Sequence, residues 1–581
     1  MKKRGCSLLL AVILLFLTGC SASPADLPKD IPAETLAYVP LDDRPDNVER
    51  AVYLAESLGY EVSMPLPDDY QTRLSGQPKN ENGTQYGDRG DLYTWVVEQE
   101  KAGCDRYILS MDQMLSGGLV NSRSMANGLP VKLPDGTVLT EPLLLETILT
   151  TLAADENNQV WLLESVMRLA PTVGYDHWDV DGYNALRSYG MEPRPALSGE
   201  LLTADHICQD YRLAPDGTLL DPAAFSLTET DVEEYLSART RKLNFSTEMQ
   251  EILHQPGYEN FHLLVGVDDS SVEDSIQKNE IALLRSGLRP EKDALLSGVD
   301  DLAFKAISKL YLEKCEWKGA SACVRYFGGT EQSAACDYDY QPLTRIMEEH
   351  LGFFDLAPVE NPEQADLQVL VLTQPQDEEK KEEYCQALTD ALQENRKNHR
   401  PTVLIDAGNG KYGDLLQTLL TEKAELGWLL SYSGFLDMAI VTGTALSHGV
   451  ARYAFLQQEQ ISADTEIAFL RTLADSIVKD FCYKHAVREG LIQYIRKDLH
   501  GSPDNFYTPE LDQPKVLARL ETEMQECAEP VLKNLEHSRL IVALAPYREL
   551  GWGTLKLGGY RFPWNRAFEI GMDLTMGPIV K

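Results

Sequence analysis

The sequence predicts an α/β protein built from repeated βα units around a mainly parallel sheet, open or barrel-like. A helical C-terminal region with a short β-like tail follows. Short apolar runs rich in β-branched residues recur between residues 36 and 405. Each ends in Asp, Gly, Ser or Asn, and amphipathic segments separate them, which is the pattern of parallel strands covered by helices. Beyond about residue 455 the texture changes to long helical patterns that continue through Gln525.

Taken in order, Leu36–Leu41 is the first strand run, giving way to Asp42-Asp43-Arg44-Pro45 and then to a helix over Val48–Leu58. Tyr60–Met64 is the second, and Arg106–Ser110 the third, ending at Asp112 and Gly117-Gly118. Val160–Leu163 ends at Glu164, Phe261–Val267 at Asp268-Asp269, and Asp293–Ser297 at Gly298-Val299-Asp300-Asp301. Leu367–Thr373 and Thr402–Ile405 complete the series, the latter ending at Asp406-Ala407-Gly408-Asn409-Gly410. A charged run over 375–400 reads as a surface helix between strands. Leu540–Leu544 and the aromatic, Gly-rich residues 546–574 form the tail.

The N-terminus reads as an export signal. Lys2, Lys3 and Arg4 are cationic, and Leu8–Leu17 is apolar but too short to span a bilayer as a stable anchor. It ends in Leu17-Thr18-Gly19-Cys20, which resembles the lipobox of bacterial lipoproteins. That resemblance implies cleavage before Cys20 and a lipid on its sulfur; an ordinary secretory signal with an incidental cysteine is the alternative. Ser21–Glu34, rich in Ser, Ala, Pro and Asp, reads as a flexible tether. The expected organisation is a signal peptide (1–19), a lipidated tether (20–35), an N-terminal α/β region (36–374), a second α/β region (375–455) and a helical C-terminal region with an aromatic tail (456–581). The expected location is the extracytoplasmic face of the cell membrane.

Composition narrows the partners. Of 581 residues, 43% are hydrophobic and 25% charged, which is globular composition. The formal charge of −37 would repel a phosphate backbone, so no nucleic-acid partner is expected. The membrane, through lipid on Cys20, and a carbohydrate ligand are the partners expected. With Cys6 removed and Cys20 lipidated, eight of ten cysteines remain, none in CxxC spacing. Cys315, Cys323 and Cys336 are close enough in sequence for a local bridge, or are buried thiols. The histidines form no HxH or HExxH pair, and no dinucleotide fingerprint, P-loop or GxSxG elbow occurs, so no cofactor or metal is expected.

What remains is carboxylates where predicted parallel strands end, the place where α/β folds bind ligands. Asp42, Asp43, Asp268, Asp269, Asp300 and Asp301 are the candidate catalytic residues. A single Asp after a strand caps a helix or makes an Asx turn. Three Asp-Asp pairs exceed that need, since one cap per helix suffices. Such acids can divide acid–base labour as in glycoside hydrolysis, hold a divalent cation, or bind sugar hydroxyls without turnover. Arg44, Asp112, Arg123, Asn409, Asn565 and Arg566 are the candidate substrate-binding residues, with Arg168 also near a strand end; each arginine either binds substrate or pairs with an Asp. The tail aromatics Tyr547, Trp552, Tyr560, Phe562, Trp564 and Phe568 either stack on sugar or seal the helical region onto the sheet.

These same residues carry a family resemblance. Pro40-Leu41-Asp42-Asp43-Arg44-Pro45-Asp46-Asn47 resembles the opening motif of the bacterial family called domain of unknown function 4127, and Phe562–Glu569 looks like its closing motif. Ser110–Met114 with Gly117-Gly118-Leu119 and Ser122-Arg123, then Gly266–Asp269 and Gly298–Asp301, are similar to the blocks between. The chain departs at Val272-Glu273-Asp274, where the family has Pro-Tyr-Gly, and at Gly298-Val299-Asp300-Asp301, where it has Gly-Ala-Asp-Glu. A further block reads Gly434-Phe435-Leu436-Asp437, then Ile440 and Gly443-Thr444-Ala445, with Leu436 and Ile440 in place of amides. The family implies no reaction. The leading expectation is a surface-tethered hydrolase acting on carbohydrate or another envelope glycoconjugate. A non-catalytic glycan- or peptide-binding lipoprotein and a metal-dependent hydrolase are the alternatives.

Overall fold

The structure is a computed structural model that describes residues 33–270, 272–331, 338–434, 437–458, 460–506 and 513–576. The signal, Cys20, Cys336, Phe435 and Leu436 lie outside the described residues. Two open parallel sheets organise the chain, which bears out the α/β class. The first holds β1 (Glu34–Val39), β2 (Tyr60–Ser63), β3 (Arg106–Ser110), β4 (Gln159–Val166), β5 (Phe261–Val267) and β6 (Ala294–Ser297), in the order β2-β1-β3-β4-β5-β6. The second holds β7 (Ala320–Phe327), β8 (Leu356–Pro358), β9 (Leu367–Leu372), β10 (Thr402–Asp406) and β11 (Ser431–Gly434), in the order β8-β7-β9-β10-β11. In each sheet the chain steps to one side of its first strand and then to the other. The loops after β1 and β3 therefore diverge and leave a crevice at the carboxyl ends.

The division between sheets falls between Ser297 and Ala320, not at residue 375. The 381–397 helix is a crossover within the second sheet, because β9 and β10 on either side of it pair in register, Gln368 with Thr402 through Leu372 with Asp406. A charged helix reads as a boundary in sequence, whereas strand pairing decides it in space.

Alternation explains how the first sheet buries both faces. Ala37, Val39, Tyr107, Leu109, Leu162 and Leu263 enter one core; Leu36, Tyr38, Ile108, Trp161 and Leu264 enter the other. The second of these cores continues without a break into the second sheet and the C-terminal helices. Helices α1 (Ala51–Ser57), α2 (Met111–Ser116), α3 (Glu229–Leu253), α4 (Leu302–Lys314), α5 (Met438–Gln457), α6 (Ala463–Ser476) and α7 (Gln513–His537) matter most here. Nearly every residue of α5 is buried, and it packs against α4 and β10 between the two sheets. Helix α6 packs on α1, so the C-terminal region sits on the first βα unit. Two wide π-helical turns, Asp46–Arg50 and Ile477–Val487, face each other there. They are joined by Arg50 on Asp480 (3.1 Å) and Lys484 on Asp46 (2.7 Å). The tail is two antiparallel hairpins, β12 (Arg539–Leu544) with β13 (Tyr547–Gly551) and β14 (Leu555–Arg561) with β15 (Gly571–Met576). Among the described residues no helix is long and apolar enough to cross a membrane. Cys315 and Cys323 are separate thiols.

Candidate functional site

A cavity of about 230 Å³ opens at the carboxyl ends of the first sheet. Asp42, Asp268, Asp269 and Asp300 line it, with Arg44, Arg123 and Arg168. The third wall comes from far along the chain: Asp437, Asp504, Trp564, Arg566 and Phe568. A smaller void of about 50 Å³ adjoins it, sharing Arg44, Asp300, Asp437 and Phe568, and Ile440 faces that void.

Local folding aims these groups. After β1, Asp42 is fully buried and accepts from the Arg44 N–H (3.0 Å), Arg44 Nε (2.8 Å) and Asn47 Nδ2 (2.8 Å), an Asx turn that fixes the loop. The turn swings the Arg44 guanidinium onto Asp300, which it meets through both Nη atoms, Nη1 at 3.0 Å. After β3, Ser110 caps α2, and Gly117 (φ +74°) ends that helix in the left-handed region that favours glycine. The chain re-enters a helical turn at Leu119–Ser122 and delivers Arg123. Arg123 donates to Asp268 Oδ2 from Nε (3.0 Å) and Nη2 (2.6 Å), and to Thr172 Oγ1 (3.1 Å). Arg168 donates to Asp269 (3.0 Å) and to the carbonyls of Ala170 and Pro171.

The acids are driven in opposite directions. Burial opposes ionisation of Asp300, but the Arg44 fork overrides it and holds the carboxyl below its usual range. Burial, then the neighbouring Asp268 charge, raises Asp269. Burial raises Asp437 well above the usual range, reinforced by Asp269, Asp339 and Asp300. Asp339 accepts from the Met438 and Ala439 N–H groups (2.8 and 3.1 Å) at the start of α5, which places a carboxylate beside Asp437. Burial also raises Asp43 to about 7, although Trp564 Nε1 (2.8 Å) and the Thr72 N–H (3.2 Å) donate to it.

The structure separates members of the predicted set. Asp42, Asp268, Asp269, Asp300, Arg44, Arg123, Arg168 and Arg566 line one cavity, and Asp43 stands at its edge behind Trp564. Asp301 turns the other way, into the core. It pairs there with Lys305 (2.8 Å), burial raising it to about 6 against that cation. Asp112 lies beneath the floor, fully enclosed, bound by Lys242 of α3 and by Ser165 (2.8 Å). Lys242 also meets Glu164 (2.9 Å). Asn409 (φ +50°) is at the end of β10 in the other sheet. Asn565 (φ +46°) acts through its backbone, its carbonyl accepting from the Phe506 N–H (2.8 Å). Of the tail aromatics, Trp564 and Phe568 reach the cavity.

Asp437, Asp504, Thr172, Tyr183 and Tyr338 are lining residues that sequence reasoning missed as site residues. For Asp437 the available signal was its position just past a strand, but Ser431-Tyr432-Ser433-Gly434 is too polar to read as one.

Fold and site define an α/β protein with an acid- and arginine-lined cavity at strand ends, closed by its C-terminal tail. The chain belongs to the family described as protein of unknown function (DUF4127), whose model matches residues 36–573. No curated protein matches it.

Proposed function

We propose that this protein is a hydrolase tethered to the cell envelope through Cys20, acting on carbohydrate or another envelope glycoconjugate. One observation carries the reading: a single small cavity holds a carboxyl pushed below its usual range, Asp300, and carboxyls pushed above it, Asp437 above all. Environments that push acids apart in this way set up a division of labour between base or nucleophile and general acid. Asp437 donates its proton to the departing oxygen, while ionised Asp300 acts on the sugar carbon, directly or through water. Asp42 and Asp268 position Arg44 and Arg123, and the aromatic rings of Trp564, Phe568, Tyr183 and Tyr338 offer faces for a sugar ring.

The test is turnover on a glycan panel by the full-length protein in detergent. Asp300→Asn and Asp437→Asn should each cut turnover by a factor on the order of 10²–10⁴ while ligand affinity moves only a few-fold. The wild-type pH profile should rise below the ordinary carboxylate range, where Asp300 ionises, and fall above it, where Asp437 loses its proton. Full activity in both variants on a confirmed substrate would remove the acids from the chemistry. Binding without turnover in the wild type would make the protein a glycan-binding lipoprotein.

A further inference from the structure

Of the four guanidiniums in the cavity wall, three already hold carboxylates: Arg44 on Asp42 and Asp300, Arg123 on Asp268, Arg168 on Asp269. Arg566 holds none, and it makes no hydrogen bond or ion pair within the described residues. Its contacts are two aromatic faces, Trp564 at 4.8 Å and Phe568 at 5.2 Å from the guanidinium carbon. Its Nε is shut in without an acceptor, while the guanidinium still lines the cavity. A part-buried guanidinium without a hydrogen-bonded carboxylate keeps its charge-assisted hydrogen bonds unused toward the cavity. Arg44 and Arg168 stand close enough to repel it, and burial with that repulsion lowers its pKa to about 10, even with Asp504 nearby.

We propose that Arg566 is the receptor for a carboxylate on the substrate, so that the cavity takes an acidic sugar, a uronic acid or a ring bearing a carboxylate side arm. The proposal rests on this cavity being the substrate site. The two rings lie against the guanidinium without taking its hydrogen bonds, and its terminal nitrogens form a planar fork, which matches a planar carboxylate through two parallel hydrogen bonds. One unpaired cation matches one negative charge. A phosphate dianion would set its second charge against Asp504 and Asp300, which share the wall. A cavity of about 230 Å³ is of the size that takes a sugar ring. Because Arg566 lines the cavity itself, the acidic group belongs to the ring held there rather than to a distant part of the polymer.

The experiment is a binding titration of the full-length protein in detergent, followed by Trp fluorescence because Trp564 stacks on the group in question. Methyl glucuronoside, methyl glucoside and the glucoside 6-sulfate are the probes. The wild type should bind the glucuronoside at least tenfold more tightly than the neutral glucoside, and more tightly than the sulfate. Arg566→Gln should lose about 10- to 100-fold for the glucuronoside and change the neutral sugar less than about threefold. Arg566→Lys should fall between, and it serves as the readable variant if the Gln form does not fold. No preference for the glucuronoside in the wild type, a preference retained in Arg566→Gln, a stronger response to the sulfate, or no binding of any probe would each overturn the proposal. Turnover is scored separately. Hydrolysis of neutral glycans without acid preference sinks this inference and leaves the hydrolase standing; acid preference without hydrolysis does the reverse.

Discussion

Asp43 sits between two opposing influences. Trp564 and the Thr72 backbone donate to its carboxylate, yet burial outweighs them and lifts it from 3.8 to about 7. An acid whose pKa is raised by folding favours the folded state while it is protonated. That contribution is complete below pH 3.8 and is lost as pH rises through about 7. Asp43→Asn keeps the shape and removes the titration. The variant should gain stability relative to wild type between pH 5 and pH 8, read as a larger difference in urea midpoint at the higher pH. An identical difference at both values would mean that Asp43 is not held protonated. Neighbouring residues of one pair meet different fates for the same reason: a one-residue step along the chain sends Asp300 to the cavity and Asp301 to Lys305 in the core. The sequence places both after one strand, and no pattern within it says which will face a cation 4 residues on and which a guanidinium 256 residues back.

At the scale of elements, α5 passes so near α4 that Gly443 lies against the Asp301–Lys305 pair. A Cβ there would overlap the Asp301 carboxylate and touch Lys305. Gly443→Ala should therefore destabilise the protein by about 1–3 kcal/mol in urea unfolding, as overpacking does. A change under about 0.5 kcal/mol would mean that the helix shifts freely, contrary to its burial between the sheets. Strands with apolar, β-branched sequences such as Phe261–Val267 and Leu367–Leu372 were legible, and so was the rule that acids follow them. Strand β11 was not. Its serine hydroxyls are satisfied by other elements, Ser431 by the Ala445 carbonyl (2.6 Å) and Ser433 by Asp480 (3.2 Å), so it is buried without being apolar. Asp437 was hidden with it. Lys242 was equally beyond reach, because its pairing with Asp112 spans 130 residues and depends on where α3 lies under the sheet.

At the scale of the molecule, a net charge of −37 bears on the proposed membrane attachment. Anionic headgroups repel such a charge, which favours the proposed lipid on Cys20 over adsorption as the means of attachment. Cys20→Ala should abolish lipid labelling and either release the protein or stall its processing, scored by fractionation. Unchanged labelling would end the lipoprotein reading. The tail gives the protein a built-in order of events. A chain folded only as far as residue 537 has both sheets and every acid from Asp42 to Asp437, yet it lacks Trp564, Arg566 and Phe568. In a chain made from its N-terminus this wall is therefore the last to arrive, and no partly made chain carries a finished cavity.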